Sequence, residues 1–147
     1  DLICILQPEP LLIRADSRRI WRVLENLYVN VCKYAMPGTR VYVDAIKKDG
    51  KIQFSIKNIS ENPLNFQADE LTERFIRGDV SRSTEGSGLG LSIAKNLTVL
   101  QHGTFNIYLD GDLFKVTITF DEAVKEKKPM SPMIVPEPVQ EEAQQDV

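Results

Sequence analysis

Apolar residues recur along this chain in two rhythms, and the rhythm changes wherever Gly, Pro, Asn and Asp gather. Alternation predicts strands, and spacing of three or four predicts helix faces. Leu2 to Leu6 is a short apolar run closed by Gln7-Pro8-Glu9-Pro10, which predicts a strand and a turn. Leu11 to Ile13 predicts a second short strand. Asp16 or Ser17 then stands where an N-cap belongs. Ile20, Leu24, Leu27 and Val31 share one face of the helix that follows to about Tyr34, and Met36-Pro37-Gly38-Thr39 stops it. Residues 40–46 alternate as a strand, Lys48-Asp49-Gly50 reads as a hairpin turn, and Lys51 to Ile59 returns. Residues 60–69 read as loop, 69–75 as a short helix and 76–87 as loop again. A segment this long and irregular inside a compact domain is usually a lid or disordered. Leu89, Ile93, Leu97 and Leu100 then mark a helix from about Gly88 to Leu100, ending at Gln101-His102-Gly103. Thr104 to Leu109 and Leu113 to Phe120 flank Asp110-Gly111-Asp112, a second hairpin.

Composition changes the picture only at the end. Residues 121–147 hold four of the eight prolines, many Glu, Lys and Gln, and no aromatic residue. Such a stretch lacks the apolar content to join a core, so the expectation is one domain over 1–120 and a disordered acidic, Pro-rich tail or linker over 121–147. A net charge of −3 gives no general footprint for nucleic acid. No apolar run is long enough to span a membrane, and Cys4 and Cys32 form neither a disulfide framework nor a metal-ligand spacing. The chain starts directly in predicted structure, as a piece of a longer protein would. The setting expected from these features is reducing and cytoplasmic.

Two clusters carry candidate chemistry. Gly86, Gly88 and Gly90 alternate in a loop that runs into a helix N-terminus, where free amides and the helix dipole suit an anion such as phosphate. A plain flexible loop is the alternative at this level. Neither better-known phosphate loop fits. No Lys follows as in G-x-x-x-x-G-K-[ST], and Leu91 occupies the third glycine position of a dinucleotide fingerprint. The second cluster is Asn26, Asn30 and Lys33, a polar stripe roughly 100° from the apolar face of the first helix. It reads either as a solvated face or as a ligand stripe, since amide oxygens suit a hard cation and an ammonium suits phosphate.

Three segments, taken in order, carry a specific resemblance. Asn26-Leu27-Tyr28-Val29-Asn30-Val31-Cys32-Lys33-Tyr34 resembles the N box of histidine kinases, N-L-x-x-N-A-x-K-[YF]. Glu73-Arg74-Phe75-Ile76-Arg77-Gly78-Asp79 resembles their F box. Gly86-Ser87-Gly88-Leu89-Gly90-Leu91-Ser92-Ile93-Ala94 resembles their second glycine box, G-x-G-L-G-L-x-I. Residues 1–120 thus look like the catalytic, ATP-binding domain of a bacterial two-component sensor histidine kinase. That resemblance implies an α/β two-layer sandwich of the GHKL (Bergerat) type, a mixed sheet with helices on one face, and an ATP lid over residues 60–87.

The resemblance also implies roles. Asn30 would ligate Mg²⁺ and Asn26 would line the same site. Lys33 would face phosphate, and Tyr34 would pack near the nucleotide. Gly86, Gly88, Leu89 and Gly90 would form the phosphate-side loop, Phe75 would anchor the lid, and Arg77 would reach the γ-phosphate. The first glycine box, D-x-G-x-G, is altered: Asn58 stands at the Asp that reads adenine, and Ser60 at a Gly. Asn58 is expected to take over the adenine contact with a weaker, uncharged grip, the alternative being that it only closes the strand end. The family's phosphoacceptor histidine lies on a separate dimerisation domain, and the single histidine here, His102, reads as a helix-end residue. The expected function is Mg-ATP binding and donation of the γ-phosphate to that histidine. A response regulator is the downstream partner, with no nucleic acid and no membrane contact by this domain. The parent would be a membrane-bound sensor. Two alternatives remain: a degenerate nucleotide-binding or protein-interaction module, and a small GHKL kinase of the anti-sigma type that phosphorylates a partner's serine.

Overall fold

The computed structural model describes residues 1–64 and 89–124. The short helix expected at 69–75, the loop at 76–87, Phe75, Arg77, Gly86, Gly88 and residues 125–147 lie outside the described residues.

The described elements run β1 (Leu2–Leu6), α1 (Ser17–Tyr34), β2 (Val41–Lys48), β3 (Lys51–Ile59), α2 (Gly90–Leu100), β4 (Thr104–Asp110) and β5 (Leu113–Asp121). The strands form one five-stranded sheet in the order β1-β2-β3-β5-β4. β1 and β2 pair in parallel, and every other pairing is antiparallel. This mixed sheet with helices on one side is the α/β sandwich expected from the sequence. The expected strand at 11–13 is reduced to an isolated bridge between Ile13 and Glu122. The Leu12 carbonyl accepts from Ala123 N at 2.8 Å, so this segment straps the chain beyond β5 and extends no ladder.

Local signals account for the ends of the elements. The Asp16 carboxylate caps α1 by accepting from Arg19 N at 3.0 Å. Asp49 and Gly50 both take positive φ, 52° and 71°, as the Asp-Gly pair of a tight hairpin requires. In the two central strands alternation sorts side chains cleanly. Ile52, Ile56, Phe114, Val116, Ile118 and Phe120 turn to the helix side and join Val43 in the core. Val23, Leu27 and Val31 of α1 and Leu91 and Ala94 of α2 close over them. Each fully buried side chain of this size contributes about 1.5–3 kcal/mol. The other face carries Tyr42, Ser55, Lys57, Lys115 and Thr117, the polar alternation of an antiparallel sheet with one wet side.

The two helices run antiparallel. Gln101, just past α2, accepts from Asp16 N at 2.8 Å through its side-chain oxygen. Gly90, at the other end of α2, packs against Asn26 in the middle of α1. The last turn of α1 is stitched to the end of β3: Met36 N donates to Ile59 O at 2.9 Å, and Glu61 N to Tyr34 O at 2.8 Å. Ser60 N donates to Asp112 O at 2.7 Å, which ties in the second hairpin turn. The C-terminal half of α1, the end of β3 and the start of α2 are therefore held around one region on the helix side of the sheet.

Candidate nucleotide site

On α1 the polar stripe is built one turn at a time. Asn26 donates from Nδ2 to Arg22 O at 2.8 Å, which leaves Oδ1 free to accept. That oxygen lies beside α2: a Cβ on Gly90 would stand 3.3 Å from it. Two motifs separated by some sixty residues of sequence thus meet side chain to backbone, and glycine is what lets them meet this closely. Asn30 is half-buried and Lys33 exposed. Among the described residues neither makes a hydrogen bond or an ion pair, so both are available to a ligand. Tyr34 is half-buried at the helix end, next to the strap to Glu61.

The start of α2 is unusual in what it lacks. Leu89, the residue before the helix, has α-helical φ and ψ and offers no side-chain cap. Ser92 Oγ donates to Leu89 O at 2.8 Å, and among the described residues no side chain caps the first amides. These amides point along the positive end of the helix dipole, toward the region that Asn26 borders.

The third element is Asn58, opposite Phe114 near the end of β3 and only 3% exposed. Its Nδ2 donates to Ile59 O at 3.1 Å. Its Oδ1 is buried with no hydrogen-bond partner among the described residues. A buried acceptor left unmade costs about 1–3 kcal/mol, so such atoms call for an explanation. Neighbouring Ser60 is also buried, its backbone bonded across to the β4–β5 turn.

The structure therefore brings Gly90 against Asn26, on the stripe that continues to Asn30 and Lys33, and ties Tyr34 and Met36 to the strand end that carries Asn58. It takes His102 away, since that residue lies in the turn beyond the far end of α2, whose helix from Gly90 to Leu100 spans roughly 15 Å at 1.5 Å per residue. Among the described residues no cluster of His, Cys, Asp or Glu could hold a metal by itself. The amide oxygens of the α1 stripe fit the other mode, in which Mg²⁺ takes one or two protein ligands and completes its shell with phosphates and water. Of the titrating groups, Tyr28 is pushed up from its ordinary value, first by burial and then by Cys4 of β1. It packs on the flank of α1 facing β1, away from the stripe. Sequence reasoning missed the strap from Ile59–Glu61 to Tyr34 and Met36 and the Ser92 bond to Leu89. Ser92, three residues after Leu89, carried a local signal for the second; nothing local signals the first.

Residues 15–125 match the family described as histidine kinase-, DNA gyrase B-, and HSP90-like ATPase. The chain is 32% identical over 108 residues to the sensor histidine kinase HprS of Escherichia coli, a match covering 72% of this chain and 24% of that protein. It is 34% identical over 105 residues to the probable sensor histidine kinase TcrY of Mycobacterium tuberculosis, covering 69% and 22%. The chain thus spans about a quarter of the length of these two curated relatives. Among solved structures, the nucleotide-free catalytic domain of histidine kinase ThkA superposes with a TM-score of 0.69 at 23% identity, covering 83% of this chain and 78% of that one. The mycobacterial sensor histidine kinase MprB gives 0.65 at 24% identity, covering 82% of each chain. These two likenesses concern the fold.

Proposed function

Because the chain belongs to the histidine kinase-, DNA gyrase B-, and HSP90-like ATPase family, we propose that it binds Mg-ATP between α1, the end of β3 and the start of α2. It would then hold the γ-phosphate for transfer to a histidine on a dimerisation domain outside this chain. The observation that carries the reading is the buried, unpartnered Oδ1 of Asn58. Adenine offers a donor at N6 beside an acceptor at N1, so an amide at this spot meets a complementary edge whichever way it lies. The neutral amide gives a weaker bond than a carboxylate would, about 0.5–1.5 kcal/mol against 1.5–3.

The remaining residues divide the polyphosphate. Asn30 and Asn26 would supply oxygen to Mg²⁺, which when bound neutralises phosphate charge. Lys33 lies one turn beyond Asn30 and would face the phosphate oxygens. The free amides after Leu89 would take others, and Arg77 would reach the γ-phosphate from the lid. Phosphoryl transfer asks the protein mainly for position and charge stabilisation, which these groups would provide. Support for kinase chemistry comes from the curated relatives, and the full-length ShkA kinase, similar in fold at a TM-score of 0.66, was solved with AMPPNP. The altered residues Asn58 and Ser60 favour a second reading, a nucleotide-binding module without transfer activity.

Calorimetric titration with Mg-ATP tests the binding step. The chain binds, and Asn30→Ala weakens binding by at least the roughly 10–100-fold that loss of an outer-shell metal partner costs, while the thermal midpoint stays put. Equal affinity in the variant would remove Asn30 from the site. Transfer of labelled phosphate from ATP to a histidine of the full-length parent then separates the kinase from the inactive module.

A further inference from the structure

The two edges of the sheet are finished differently. β4, on one side, alternates exposed Thr104, Asn106, Tyr108 and Asp110 with half-buried Phe105, Ile107 and Leu109. β1, on the other, is Leu-Ile-Cys-Ile-Leu and carries no charged residue on either face. Leu2, Ile5 and Leu6 are 58%, 59% and 66% exposed. Strand edges are ordinarily guarded by charges, prolines or bulges, and this run has none of them. Its backbone is open as well. Asp1 O accepts from Val41 N at 2.8 Å, and the parallel register then turns the amides and carbonyls of Ile3 and Ile5 toward β2. Those of Leu2, Cys4 and Leu6 point outward, where no described residue bonds them.

The flank of α1 beside this edge is apolar too. Trp21, Leu24 and Tyr28 follow one another at helical spacing on the side that faces β1, and Trp21 is 71% exposed. α1 returns from the Leu6 end of β1 to the start of β2, so Trp21, two turns before Tyr28, stands toward Leu6.

We propose that this edge pairs with the same edge of a second copy of the chain, antiparallel about a two-fold axis at Cys4. The strand is its own complement. Turned about Cys4, Leu2 faces the partner's Leu6, Ile3 the partner's Ile5, and Cys4 the partner's Cys4, so every opposed pair is apolar and no charges meet. The same register sets the outward amides and carbonyls of Leu2, Cys4 and Leu6 against one another. Both copies keep their helices on one face of a continuous sheet, and each Trp21 covers a contact between Leu6 and the partner's Leu2. At roughly 100 Å² for each exposed aliphatic side chain and roughly 150 Å² for the indole, the pair buries on the order of 900 Å². That is the low end for a specific interface, so the dimer is weak and reversible. The asparagine stripe lies on the other flank of α1, and both nucleotide sites stay accessible.

Sedimentation equilibrium of the full chain, with its thiols kept reduced, tests the proposal. The chain should dimerise with a Kd between about 10 µM and 1 mM. Leu6→Lys and Leu2→Glu, both at exposed positions, should each weaken association roughly tenfold with the circular dichroism spectrum unchanged. The two-fold sets these positions opposite each other, so a mixture of the two variant chains should associate more tightly than either alone. Coupling with a short bismaleimide checks the register, since opposed hydrogen-bonded residues stand about 5.5 Å apart at Cα. Cys32→Ser should give a linked dimer through Cys4, and Cys4→Ser should not. A chain that stays monomeric at about 1 mM would leave the edge to a strand from another protein and overturn the proposal. So would association indifferent to both variants, no gain on mixing them, or linkage as efficient through Cys32 as through Cys4.

Discussion

At the C-terminal end of α2 the amides of His102 and Gly103 donate to Val99 and Thr98 at 3.0 Å each, and His102 takes a left-handed φ of 64° to make the turn. Gly103 is buried so tightly that a Cβ there would stand 2.6 Å from the Phe120 ring and 2.9 Å from Thr98. At the N-terminal end of the same helix no side chain among the described residues accepts from the first amides. Among the described residues its glycine meets only the Asn26 side chain, at 3.3 Å. The start of α1, by contrast, is closed by Asp16. One helix end is packed and bonded to completion, while the other, against Asn26, has no side-chain cap among the described residues. A buried acceptor left unsatisfied costs stability, so Asn58 Oδ1, without a partner among the described residues, is a group that folding alone does not account for.

The largest effect is expected where packing is completed. Gly103→Ala drives a methyl into Phe120 and should destabilise the fold by about 1–3 kcal/mol, measured by urea denaturation, with Mg-ATP affinity of the folded fraction unchanged. A neutral result would mean that Phe120 can move aside and that this end is looser than described. Asp16→Ala removes the cap of α1 and should cost about 1 kcal/mol of stability, again without altering nucleotide affinity. A change in affinity there would couple the far end of α1 to the site and blur the contrast. Gly90→Ala acts at the open end and reverses the pattern. The better helix former offsets the close approach to Asn26, so the thermal midpoint should shift little, while Mg-ATP affinity falls about fivefold. Stability and affinity falling together would show that Gly90 serves packing alone.

How much of this was legible in the sequence depended on how far apart the partners lie along the chain. The hairpins declared themselves because Asp49-Gly50 and Asp110-Gly111 sit between alternating runs, and α1 because Asp16 caps a regular apolar stripe. Residues 11–13 misled: three apolar residues read as a strand, but their backbone partner is Ala123, more than a hundred residues away. Within the site, the Asn26-Asn30-Lys33 stripe was visible as helical spacing, and the resemblance to histidine kinases supplied its meaning. The approach of Gly90 to Asn26 and the burial of Asn58 were not visible, because both arise from tertiary packing across long separations. The substitution at Asn58 was readable, but its orphaned oxygen was not.

Titration of Mg-ATP and Mg-GTP into the parent chain and Asn58→Ala tests the central claim most directly. If the buried amide reads the purine edge, the parent prefers ATP. The variant then loses about tenfold in ATP affinity, ~1.4 kcal/mol, and much of its preference over GTP, with the fold intact by circular dichroism. Unchanged ATP affinity and unchanged preference in a folded variant would contradict the account, leaving Asn58 as nothing more than the end of a strand.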